Sequence, residues 1–379
     1  MIIGIGIIAL ILIWLGERHP HPMPTTQPAA PPPRAERPVT PPAQVLTLSK
    51  TNLAGIPSNL SPLVITKPLA TTNLPTAPLP DAPPTNPPPV VRGSPRYAQS
   101  VFEAQVALAR QGISAGSIDG VIGSQTRSAL RAFQRSENLT VTGELDAATK
   151  ARLILDPPLY TELVVTAEDL ARLQPLGTGW LSKSQQDRLD YETILELVAE
   201  KSHCHPGFVK QLNPGINWDR VAAGTVVRVP NVESTPPRAT ATLIQIRLSE
   251  KTLEAFDASM RLLAHFPCSI AQRIEKRPVG ELRVEVIADN PDYTFNPDIF
   301  PESAEARQIG TKLVLAPGPN NPVGTVWIGL DKPGYGIHGS PKPEEVGRTE
   351  SHGCFRLANW NAEYLLRLVA IGTPIRVEP

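Results

Sequence analysis

Val326-Trp327-Ile328, then Gly336-Ile337-His338-Gly339-Ser340, then Ser351-His352-Gly353-Cys354-Phe355-Arg356-Leu357: these three stretches decide the reading of the chain. Val326-Trp327-Ile328 is a short β-rich run bounded by turn residues and reads as a strand, and the two stretches after it bear the chemistry. One run ends in a histidine and the other, sixteen residues after His338, carries a cysteine. A free thiol has a pKa near 8.5 and is mostly protonated at neutral pH. It becomes an acyl acceptor when an imidazole takes its proton and later returns it to an amine leaving group. Strands lying side by side would supply that pair. The backbone N–H groups of His352, Gly353 and Cys354 are candidates to hold the oxyanion, because glycine allows the tight turn that aims them.

Working outward, the same texture begins at about Thr240. Leu243, Ile246 and Leu248 precede a turn, Leu253, Ala255 and Phe256 follow it, and a further run covers 261–266. Val284-Glu285-Val286-Ile287 continues it, and 374–377 closes it. The expectation is a mainly β domain over 240–379, a sandwich or squat barrel, with one late helix over 361–369 capped by Asn359 or Asn361. The plainer reading of Cys354 is a buried structural thiol, and of His338 a satisfied core histidine. Zinc held by His338, His352 and Cys354 would leave the thiol no proton-transfer partner.

Together, His-Gly, a spacer of this length and Ser-His-Gly-Cys-x-Arg resemble the signature of the L,D-transpeptidase catalytic domain, the YkuD-like kind. Pro317-Gly318-Pro319-Asn320-Asn321-Pro322-Val323-Gly324 and Trp327-Ile328-Gly329 are similar to members of that family as well. Arg277-Pro278-Val279-Gly280 departs from it, since the family usually shows Thr-Pro-x-Gly. The resemblance implies Cys354 as nucleophile and His338 as general base and acid. His352, Gly353 and Ser351 would shape the site, and Arg356, with Gly339 and Ser340, would meet the substrate. It implies acyl transfer on peptidoglycan stems: Cys354 expels the terminal D-Ala of a tetrapeptide and the thioester passes to a side-chain amine, giving a 3→3 cross-link. No cofactor or metal is called for. Two rivals remain open, an L,D-carboxypeptidase or hydrolase that uses water as acceptor, and a wall-binding scaffold with a silent site.

Upstream, residues 96–156 read as a small three-helix module. Val101, Gln105, Leu108 and Ala109 make one helical stripe, ended by Gly112; Ser124 caps a second helix; a third begins near Asp146. Ile118-Asp119-Gly120, Gly123, Gln125-Thr126, Ala129-Leu130, Phe133-Gln134, Leu139, Thr142-Gly143 and Thr149 resemble the peptidoglycan-binding module of cell-wall enzymes. Residues 158–231 read as an α+β module: a strand near 163–166, helices over 192–201 and 206–212, an Asn213-Pro214-Gly215 turn and a strand over 224–230. This looks like a LysM module, which grips glycan, interrupted by an insertion containing Trp180. His203-Cys204-His205 offers three adjacent donors and no fourth, a poor tetrahedral set.

The chain of 379 residues carries 36 Lys+Arg against 36 Asp+Glu, so nothing in the charge points to nucleic acid. Of 43 Pro, roughly half precede residue 96. Residues 19–95 read as a disordered Pro-rich tether that, fully extended, reaches on the order of 230 Å. Residues 1–18 open with an uncharged apolar run of about 22 Å as a helix, short of the roughly 30 Å hydrocarbon core. They read as a signal peptide or short membrane anchor, placing the protein outside the cytoplasm. Three cysteines leave at least one thiol unpaired; Cys204 and Cys268 are either a bridge or two buried thiols. A monomer is expected.

Overall fold

Sequence-local rules set the first elements. The computed structural model describes residues 94–233, 239–300, 302–349, 351 and 353–379. The expectations for 1–18, for all but the end of 19–95, and for His352 lie outside them. β1 (Arg96–Tyr97) pairs with β2 (Ile154–Leu155) around α1 (Val101–Arg110), α2 (Ser124–Ser136) and α3 (Ala147–Lys150). Ser100 caps α1 by accepting from the Glu103 N–H, and Asp146 caps α3 by accepting from the Thr149 N–H. Ser124 is not a cap: α2 is capped by Gly123 without a side-chain bond, and Ser124 is its first residue. Gln105 lies on the buried stripe but is polar for a reason. Its amide donates to Asp119 Oδ1 (2.9 Å) and Thr126 Oγ1 (3.0 Å) and accepts from the Gly120 N–H (2.8 Å), fixing the 118–123 loop.

The next region runs β3 (Tyr160–Val164), α4 (Ala167–Arg172), α5 (Trp180–Ser184), α6 (Ile194–Lys201), α7 (Pro206–Leu212) and β4 (Val226–Pro230), with β3 and β4 antiparallel. Thr193 caps α6, which therefore starts two residues later than the sequence suggested. Leu108, Leu130 and Phe133 of the first region and Leu197, Val198, Val209 and Val229 of the second are buried in one continuous apolar core.

From Leu243 onward the chain is mainly β: β5 (Leu243–Arg247), β6 (Thr252–Phe256), β7 (Leu262–Pro267), β8 (Gly280–Asp289), β9 (Tyr293–Phe295), α8 (Ala304–Ile309), β10 (Leu313–Leu315), β11 (Val326–Leu330), β12 (Gly336–His338), β13 (Phe355–Arg356), α9 (Asn359–Leu366) and β14 (Pro374–Glu378). Eight of the strands form one sheet in the order β13-β12-β11-β8-β14-β5-β6-β7, and β9 pairs with β10 apart from it. β14, last in sequence, lies between β8 and β5, so the C-terminal strand is central. The sheet's two ends also meet. Beyond β7, Ser269 exchanges backbone bonds of 2.9 and 3.0 Å with Arg356 in β13, bringing the first and last strands of the order together. The late helix starts at Asn359 with Ala358 as its cap, so neither Asn359 nor Asn361 caps it.

Candidate active site

Register places the site. β12 and β13 run parallel with Ile337 opposite Phe355 and His338 opposite Arg356. Cys354 precedes β13 by one residue and so falls level with Gly336. Side chains alternate faces along a strand, which puts Cys354 and His338 on the same face two residues apart. Trp327 in β11 is opposite His338 and stacks on its ring, centroids 5.7 Å apart. The indole lies across Gly336, where a Cβ would overlap it.

His338 is buried, and its Nδ1 sits 2.7 Å from the Gly339 carbonyl. A carbonyl only accepts, so Nδ1 carries the proton and Nε2 keeps a lone pair. Burial lowers the imidazole pKa to about 4; the Gly339 bond opposes this and the Arg356 charge adds to it. Burial pushes the Cys354 thiol up, against a Gly336 N–H and the Arg356 charge, which both favour thiolate. At neutral pH the pair therefore rests as neutral thiol beside neutral imidazole. Cys354 is partly exposed, and its Sγ lies 3.6 Å from the Gly334 carbonyl.

Around the thiol, Ser351 is a brace. Its hydroxyl donates to the Cys354 carbonyl at 2.5 Å and accepts from the Gly353 N–H at 3.3 Å, while its backbone bonds to Ile270 and Gln272. The Gly353 N–H named above for an oxyanion is thus turned, over a long bond, toward Ser351. Arg356 is half-buried and lines a cavity of about 230 Å³ with Ser340, Lys342 and Thr349. The Ser340 N–H donates to Asn359 Oδ1 at 3.0 Å.

Asn359 is singled out from sequence only as a candidate cap. It is fully buried, and Oδ1 also accepts from the Thr325 N–H at 3.3 Å. Its amide donates to Pro319 O (3.2 Å) and to Glu200 Oε1 of α6 (2.9 Å). A Cβ on Gly324, whose φ is +62°, or on Gly339 would overlap Asn359 Oδ1. Two glycines flanking a strand pair were the available signal for a side chain seated between them. Burial drives Glu200 up to about 8, with Asn359 and the Tyr191 hydroxyl partly offsetting it and Glu363 adding to it. Tyr293 on β9 was also missed. Burial raises its phenol, and the neighbouring Cys354 adds to the rise.

Of the other residues named from sequence, Cys204 and Cys268 are separate buried thiols. His203 stacks on Trp360 with centroids 5.0 Å apart, and His205 caps α7. Among the described residues no helix is long and apolar enough to cross a membrane.

Residues 241–377 match the family described as "L,D-transpeptidase catalytic domain", and residues 97–153 the one described as "Putative peptidoglycan binding domain". Residues 241–377 belong to the L,D-transpeptidase catalytic-domain family. The chain is 28% identical over 185 residues to "Putative L,D-transpeptidase YkuD" of Bacillus licheniformis, covering 49% of this chain and 93% of that one. It is 27% identical over 185 residues to "Probable L,D-transpeptidase YbiS" of Escherichia coli K12, covering 48% of this chain and 59% of the relative. The crystal structure of L,D-transpeptidase 3 from Mycobacterium tuberculosis aligns at 17% identity with a TM-score of 0.30, over 42% of this chain and 77% of that one. Neither family match extends over 158–231, so the LysM resemblance stands on its strands and helices alone, and the L,D-transpeptidase domain with a peptidoglycan-binding module ahead of it is what these matches establish.

Proposed function

We propose that the chain is a peptidoglycan L,D-transpeptidase working through a Cys354 acyl-enzyme outside the cytoplasm. The observation that carries the reading is the shared face of Cys354 and His338, with the Nε2 lone pair left available because Nδ1 is held by Gly339. In the first step Nε2 accepts the Sγ proton as sulfur bonds to the carbonyl carbon of the third residue of a tetrapeptide stem. The C–N bond to the terminal D-Ala breaks, and its nitrogen takes the proton back from His338. In the second step the side-chain amine of another stem attacks the thioester, Nε2 accepts a proton from that amine, and it returns a proton to the departing Cys354 sulfur. The neutral resting pair suits this cycle, because a proton that prefers sulfur at rest moves as the bond forms.

Arg356 and Ser340, which line the cavity of about 230 Å³, are assigned the contact with substrate. The module at 97–153 is assigned the polymer grip, and the LysM-like strands and helices at 158–231 a second contact with glycan. The apolar opening segment supplies export, by cleavage or as a retained anchor.

Incubating the full chain with disaccharide tetrapeptide and resolving the products by mass spectrometry tests this. A dimer linked 3→3, absent with Cys354→Ala, is the expected result. Tripeptide and free D-Ala without dimer would make water the acceptor and the carboxypeptidase reading correct. Unchanged substrate with folded protein would leave a wall-binding scaffold.

A further inference from the structure

The segment that interrupts the LysM-like pattern does not loop into solvent. Trp180, first residue of α5, stacks on Phe295 of β9 with centroids 4.3 Å apart, and its N–H donates to Glu305 Oε1 of α8 at 2.6 Å. Further along, the Leu189 N–H donates to Pro317 O and the Asn320 N–H to Leu189 O, both at 2.9 Å. Gly318, with φ +141°, lies so close to Leu189 that a Cβ would overlap its carbonyl. The upstream insertion is therefore held on both sides, against β9 and α8 at one end and the 317–320 stretch at the other.

This docking carries Lys183 to the rim of the cavity of about 230 Å³ that Arg356, Ser340 and Lys342 also line. Three cations there face one lining carboxylate, Glu345, and Lys342 is already 3.3 Å from it. Lys183 is half-buried, and among the described residues its ammonium has no hydrogen-bond or ion-pair partner. It also borders an adjoining cavity of about 250 Å³ lined by Glu192, Glu196, Glu200 and Glu344, and reaches none of these carboxylates within bonding distance. A half-buried cation with its donors unspent, sharing a cavity with Arg356 of the strand that follows Cys354, is arranged to receive an anion.

We propose that Lys183, delivered by the upstream insertion, is a specificity residue that binds a carboxylate of the peptide stem in this groove. The assignment rests on the transpeptidase reading for the identity of the ligand. It makes stem selection a joint property of two regions, since the lysine belongs to one and Arg356 to the other.

Equilibrium binding to the full chain carrying Cys354→Ala, which cannot turn over, is the test. The probes are the free-acid tetrapeptide stem and versions with each carboxylate singly converted to carboxamide, which distinguish the terminal from the side-arm carboxylate. The free acid is expected to bind roughly tenfold tighter than one of the amides, the size of one charge-assisted contact. Adding Lys183→Met should erase that preference, and Lys183→Arg should keep most of it. A preference unchanged by Lys183→Met, no preference among the probes, or no measurable binding would overturn the proposal. Failure of the transpeptidase reading shows elsewhere, as absence of dimer with Cys354 intact, so the two outcomes separate.

Discussion

Two parts of this molecule bury ionisable groups, and they do it in opposite ways. At the thiol site, His338, Cys354 and Arg356 come from two adjacent parallel strands, and each polar atom is placed by its immediate neighbours. At the junction between α6 and the strand loops, Glu196, Glu200, Asn320 and Asn359 meet from positions more than a hundred residues apart. Glu200 is half-buried with only neutral donors, Asn359 and Tyr191, and its pKa climbs to about 8. Glu254 in β6 shows the third possibility. It is more deeply buried, but hydrogen bonds from His265 and Arg247 overcome the cost of burial and hold it near 2. Burial alone sets no charge state; the partners do.

The comparison can be broken most decisively at the thiol. Cys354→Ala should abolish a carbapenem adduct on the full chain, and His338→Gln should slow its formation by roughly 10²–10⁴-fold, read by intact mass over time. A wild-type rate in the His338 variant would mean the imbalance described above is not used for proton transfer. At the junction, Asn359→Ala leaves the Ser340 and Thr325 N–H groups and Glu200 without their shared partner. A loss of about 2–4 kcal/mol in denaturant unfolding is expected. A loss under about 0.5 kcal/mol would show that the junction adds little.

The charge states sharpen the contrast further. Glu200 has a folded pKa near 8 against 4.5 for a free glutamate. Its contribution to stability is full below pH 4.5 and is lost as pH rises toward about 8. Glu200→Gln should flatten stability across that window, and an unchanged slope would put the ionised form in the fold. The smallest effect belongs to His338, lowered to about 4 from 6.5. Stability linked to its neutral form is present above pH 6.5 and fades as pH falls toward 4, and the acid limb of acylation should lie near 4. A limb near 6.5 would mean the imidazole is hydrated in the working enzyme.

What could be read beforehand follows the same division. The strands from Leu243 to Phe266 and the helix at 206–212 were legible because each signal sits within a few residues of chain. Asn359 misled because an asparagine at the start of a helix normally caps it, and nothing local says that Gly324 and Gly339 have made room for its side chain. The same holds for the insertion around Trp180. By sequence it is an interruption of one module, and only the distant Phe295, Glu305 and Pro317 give it a purpose. Long-range polar pairs leave no periodicity to detect.

The upstream core shared by 97–153 and 158–231 has one more implication. That body is tied to the catalytic sheet by Gln125 to the Val346 carbonyl, by the Arg135–Glu254 ion pair and by Asn361 to Ser114. A polymer gripped by the first module would then be held at a set distance from the sulfur. On the proposed reading the fold would act as a ruler, and the interval between grip and cross-link would be a dimension of the protein, open to change by shortening or lengthening what lies between.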